Sequence, residues 1–229
     1  MEKLEAGGVE VWLKRSARAK RLSLRVSRLD GRVTLTLPMR APEREARRFL
    51  ADKADWVRAQ LAQGVEPVVP MPGGSLLFRG EVLPIMAAPG RSVHLQAGEI
   101  RVPERDPARS PARLAAFLKL QAREALSAAS IHHATRLGVR YSRLTLRDTR
   151  SRWGSCSHRG ALMYSWRLIL APPEVLDYVA AHEVAHLVEM NHSPAFWATV
   201  ARTLPGYEAP RRWLRDHGAE LHRYRFREA

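Results

Sequence analysis

The chain has 229 residues, 45% of them hydrophobic and 27% charged, with a formal net charge of +15. That is enough apolar material for an ordinary core, and no apolar run of about eighteen residues exists to cross a membrane. One cysteine, Cys156, excludes an internal disulfide and a cysteine metal site; with an N-terminus that lacks a signal-peptide core, the expected location is the cytoplasm. The charge would suit a polyanion such as nucleic acid or a nucleotide, but 33 arginines and 5 lysines are spread over both halves and form no basic arm.

Residues 9–37 alternate as strands do. Leu22, Leu24 and Val26 form one run and Val33, Leu35 and Leu37 another, with Asp30-Gly31 as the hairpin turn. Pro42 opens a helix expected to reach about Leu61, with Ala46, Phe49, Leu50, Ala54, Trp56 and Val57 as its apolar face. Gly64 to Pro72 is a proline-rich break. From Ser75 to Val102, apolar runs cut by Gly80, Gly90 and Gly98 predict a small antiparallel meander. Residues 106–111 read as a linker, with Ser110-Pro111 capping a long helix to about Leu137. Residues 143–148 and 161–170 read as strands leading to a helix that starts at Pro172-Pro173. Two further helices follow, one around Pro210 to Gly218. This order predicts an α+β fold with antiparallel sheets, divided into a β-rich region over 1–105 and a second region over 106–229.

The helix after Pro173 contains His182-Glu183-Val184-Ala185-His186. Residues four apart share a helix face, so His182 and His186 can offer two imidazoles to one ion, with Glu183 beside them. On a continuous helix His192 would lie about 15 Å along the axis from His182, so the helix must end before it can become a third ligand. Asn191 is expected to take the left-handed conformation that closes helices, and Ser193-Pro194 to cap and start the next one. Glu189, about 10 Å up the axis from His182, is too far to ligate and reads as a partner for a ligand imidazole or as a solvated carboxylate.

Three imidazoles and a carboxylate suit a catalytic Zn2+ or another divalent ion, with Glu183 taking the proton of a metal-bound water. Developing negative charge needs a further electrophile. Candidates are Arg152, Tyr178, Tyr164 and Tyr207. Arg152 can clamp a carboxylate or phosphate, and Tyr178 stands one turn before His182. Trp153 and Trp166 read as core and Cys156 as a small buried hydrophobe. His132 and His133 point to different faces and make poor joint ligands, while His94, His158, His217 and His222 read as solvated or capping.

Arg152-Trp153-Gly154-Ser155-Cys156-Ser157, Trp166-Arg167-Leu168, Asp177-Tyr178-Val179, the His182–His186 motif and Asn191-His192-Ser193-Pro194-Ala195-Phe196-Trp197 together resemble the YgjP-like metal-dependent hydrolases, relatives of the SprT-like metalloproteases. Ala19-Lys20-Arg21-Leu22 and Trp56 extend the resemblance over nearly the whole chain. It implies a zincin-like catalytic region, His182, His186 and His192 as metal ligands, and Glu183 as base. Ser165 departs from the asparagine that the family tends to carry before the tryptophan. Metzincins share only the spacing, since Glu189 stands where they have glycine and no methionine follows Met190. The expected function is a zinc metallopeptidase acting on a peptide or protein, which would pair with a sheet edge expected at 161–168. Two alternatives remain. One is release of pyrophosphate from nucleoside triphosphates at the same centre, with Arg143, Arg147, Arg150 and Arg152 on the phosphates; the other is a basic nucleic-acid-associated protein with a non-catalytic metal site.

Overall fold

Period-two alternation builds the first sheet. In strands β2 (Val9–Ser16) and β4 (Val33–Pro38), Val11, Leu13, Val33, Leu35 and Leu37 all turn to one face and are buried. The computed structural model describes residues 2–6, 8–27, 31–62 and 66–226. With β1 (Glu2–Ala6) and β3 (Ser23–Val26) the sheet has the order β1-β2-β4-β3, in which β2 and β4 run parallel and the outer pairs antiparallel. Val26 pairs with Val33, so β3 and β4 are the expected neighbours, although Asp30 of the expected turn lies outside the described residues. The single helix expected from Pro42 is two, α1 (Glu43–Asp52) and α2 (Ala54–Ala62), interrupted at Lys53. Ala46, Leu50 and Val57 close the core, whereas Trp56 is exposed rather than part of the apolar face.

The second sheet comprises β5 (Ser75–Phe78), β6 (Glu81–Ala88), β7 (His94–Gln96) and β8 (Glu99–Pro103) in the order β5-β6-β8-β7. It is no antiparallel meander, because β6 and β8 are parallel. The long helix α3 (Ser110–Leu137) begins at its expected cap, so Ser110 is its first residue, with a buried hydroxyl that has no partner among the described residues. Leu76, Ile85, Ile100 and Val102 share one core with Leu114, Leu118 and Leu126 of α3. The compact units are accordingly Met1–Glu66 and Pro67–Ala229, and the division expected at 105/106 falls inside the second unit's core. The supposed linker is clamped: Arg113 Nη1 donates to the carbonyls of Pro103, Arg105 and Asp106.

A third sheet, order β10-β11-β9, contains β9 (Arg143–Arg147), β10 (Gly154–Cys156) and β11 (Ala161–Ser165). It is also mixed, with β11 and β9 parallel, so antiparallel sheets alone do not describe the fold; the class is α+β. Trp166–Leu170, expected as strand, is a 3₁₀ turn buried at all five positions. A continuous buried run carries no period to separate strand from helix. The β5–β6 turn docks there through Arg79 N to Ile169 O and Gly80 N to Leu170 O. Gly80 has φ +85°, and a Cβ on it would lie 2.9 Å from Pro172 Cγ, so the turn requires glycine where it meets the start of the next helix.

That helix, α4 (Pro173–Ala185), is followed by α5 (Pro194–Thr203) and α6 (Glu208–His217). His133 of α3 is buried and joins α5 and α4, Nδ1 lying 2.8 Å from Thr203 Oγ1 and Nε2 3.0 Å from Asp177 Oδ1. The long helix α3 and strand β10 both pack against α4, the helix that carries His-Glu-x-x-His. Among the described residues no helix is long and apolar enough to cross a membrane.

Candidate metal centre

Helix α4 stops at Ala185, with His186 as its C-cap, and turns through Leu187–Glu189 on bonds from their N–H groups to Val184 and Ala185 carbonyls. The helix therefore ends before His192, as required. Asn191 does not take the left-handed conformation; among non-glycine described residues only Arg79, Ala97 and Asp106 have positive φ. Its side-chain oxygen instead accepts from Ser193 N at 3.1 Å. Ser193 then caps α5, its Oγ accepting from Phe196 N, with Pro194 in the first turn.

This chain path brings His182, His186 and His192 together, with one nitrogen from each lying within 4.8 Å of the others. His182 Nε2 and His192 Nε2 face each other at 3.1 Å. Bonds of ~2.0–2.1 Å to a tetrahedral zinc place ligand nitrogens about 3.4 Å apart, so the trio fits such an ion with small side-chain rotations. His186 Nδ1 donates to Glu189 O at 3.0 Å, which assigns the proton to Nδ1 and frees Nε2 as a ligand atom. Glu189 thus partners the imidazole through its backbone carbonyl and not its carboxylate. Three neutral imidazoles are a donor set that zinc and other divalent ions accept.

Phe196, named above only as part of a motif, is the floor of the site. It is fully buried, stacks on His186 at 4.4 Å, and meets His182 and His192 edge-on at 4.9 and 4.8 Å. Its position three residues beyond the Ser193 cap was the available signal.

Glu183 is buried and receives no hydrogen bond or ion pair from the described residues. Burial pushes its carboxyl up to about 8, with Arg152 pulling the other way. Strand β10 passes directly over it: a Cβ on Gly154 would stand 2.5 Å from both Cγ and Oε1 of Glu183. Gly154 is therefore a contact of the carboxylate that the sequence did not reveal. The β10 strand is also an edge of its sheet, whereas β11 is paired on both sides, so 161–168 cannot supply the open edge expected of it.

The expected electrophiles separate. Arg152 is exposed on the Glu183 side. Tyr178 is buried, edge-on to His182 at 5.9 Å and stacked on Tyr207 at 6.4 Å; burial pushes its hydroxyl up to about 12, and that hydroxyl makes no hydrogen bond among the described residues. Tyr164 is committed elsewhere, bonded to Ser130 at 3.0 Å. Burial, then Glu183, pushes the Cys156 thiol up to about 11, so it is no thiolate nucleophile. Ser165, the departure from the family pattern, has a buried hydroxyl without a partner among the described residues. Trp166 is core, and Trp153 is partly buried against His222 at 4.9 Å. His222 is itself buried rather than solvated.

Three imidazoles that could hold a metal ion thus converge beside a buried carboxylate. The chain matches the family model of the YgjP-like metallopeptidase domain over residues 20–217 and belongs to that family. A similar solved structure is the metallopeptidase zymogen of Pyrococcus abyssi abylysin, 21% identical over 40% of this chain and 93% of that one, at a TM-score of 0.36. No curated protein matches the chain.

Proposed function

We propose that the protein is a zinc-dependent peptidase in which His182, His186 and His192 hold the metal and Glu183 is the general base. The observation that carries the reading is the meeting of three ligand-competent imidazole nitrogens next to one buried carboxylate with no other partner among the described residues. When bound, zinc would supply a Lewis acid that polarises the scissile carbonyl and acidifies water. Glu183 accepts the proton from the attacking water and passes it to the leaving amine. Gly154 keeps the carboxylate's position clear, because no side chain intrudes from β10. Arg152 and Tyr178 are the groups proposed to face negative charge as it develops, the first through its guanidinium and the second through its unpartnered hydroxyl. The open edge at Gly154–Cys156 pairs with an extended peptide.

A triphosphate would need several cations gathered at the centre. Arg143 and Arg147 lie on β9, at the opposite edge of the sheet from β10, about 10 Å away across two strand spacings. No observation favours nucleic acid. A cytoplasmic location remains the expectation from the lone cysteine. The test is Glu183→Gln, assayed against unfolded protein and nucleoside triphosphates in parallel. The variant should keep its metal and lose peptide turnover by about a thousandfold or more. A metal-loaded variant that still cleaves would remove Glu183 as base, and wild-type turnover of triphosphates alone would replace the peptidase reading.

A further inference from the structure

The aromatic wall beside the histidines ends on an arginine that no acid satisfies. Tyr207 and Arg211 stand one turn apart at the start of α6, and both meet Trp197. Tyr207 stacks on it with centroids 5.3 Å apart and 12° between planes, while the Arg211 guanidinium lies 4.1 Å from the indole centroid. Trp197 is in turn 5.8 Å from the rings of both His182 and His192. Arg211 is exposed and its side chain makes no hydrogen bond or ion pair with the described residues. A guanidinium laid on an indole keeps its N–H edge free, and that planar fork matches a carboxylate with two parallel bonds.

We propose that Arg211, held over Trp197, is a specificity-determining residue that selects peptides with a carboxylate next to the scissile bond. The inference rests on the peptidase reading above. One uncommitted cation at this end matches one carboxylate; a polyphosphate would call for more. The carboxylate can come from an acidic side chain or from the peptide's own terminus, and the two are separable.

The test titrates metal-loaded protein calorimetrically with three dipeptide hydroxamates: a glutamate compound with an amidated end, its glutamine counterpart, and the glutamine compound with a free terminal carboxylate. One of the two acidic compounds should bind at least about tenfold tighter than the neutral one, and which of them does so identifies the source. Arg211→Met should bring that affinity down to the neutral level, Arg211→Lys should restore part of it, and Arg211→Glu should reverse the preference. Equal affinity for all three would overturn the proposal and leave the metal centre standing. Failure of all three to bind would overturn the peptidase reading, and the proposal with it. Inorganic pyrophosphate displacing the hydroxamates from wild type but not from Arg211→Met would assign the position to phosphate and contradict the carboxylate.

Discussion

In the unit Met1–Glu66 the described buried residues are apolar: Val11, Leu13, Val33, Leu35, Leu37, Leu50 and their neighbours. In Pro67–Ala229 the core also takes in His133, Arg167, Glu183, His186 and His222. Burying a polar or ionisable group costs free energy unless it is hydrogen-bonded. Arg167 meets that condition, donating to both carboxylate oxygens of Asp148 and to the carbonyls of Leu221 and Tyr224. His133 meets it through Thr203 and Asp177. Glu183 does not: among the described residues nothing partners its buried carboxylate, which stands beside the three histidines, and such perturbed groups cluster at functional sites. By this measure the candidate site lies in the second unit, and the first has a wholly apolar core among its described residues.

The sharpest way to break that contrast is to damage the first core. Leu35→Ala removes a fully buried side chain and should cost about 3 kcal/mol, read by denaturant unfolding, while metal content stays unchanged. Loss of metal in a folded variant would contradict a site confined to the second unit. Next comes Gly154→Ala, which strains no backbone but forces a methyl group into Glu183. Turnover should fall about a hundredfold with metal retained, since a displacement of about 1 Å at a reacting group costs that much. Unchanged turnover would mean that the carboxylate's position is not fixed from β10.

The smallest effect is on pH dependence. Burial and Arg167, assisted by Arg150 and Arg225 and opposed by Asp148, hold the His222 imidazole at about 4, against 6.5 for the free side chain. Between those values the unfolded chain binds a proton that the folded chain does not, so stability falls as pH falls from 6.5 to about 4. The slope should approach 1.4 kcal/mol per pH unit for this group, with no contribution above 6.5. His222→Phe should flatten that part of the curve; an unaltered slope would show that His222 does not supply it.

The metal constellation was legible because it is local. Helical spacing aligned His182 with His186, and Ser193-Pro194 announced the second helix start. Strand pairing was not, since alternation shows which face a residue takes but not which strand lies beside it; the β2–β4, β6–β8 and β9–β11 parallel pairs all escaped notice. The break at Gly64 to Pro72 was visible, yet Asp106-Pro107 looked more like a boundary because its clamp by Arg113 is a contact that no pattern records. For the same reason Gly154 over Glu183 and Arg211 over Trp197 could be found only in three dimensions.

The central claim is a bound divalent ion held by three histidines. Elemental analysis of protein purified without a metal-affinity column tests it most directly, with His192→Ala alongside. One zinc per wild-type chain, lost or much weakened in the variant, is the expected result. Wild-type protein without stoichiometric divalent metal, or a His192→Ala variant that holds it as tightly, would contradict the account.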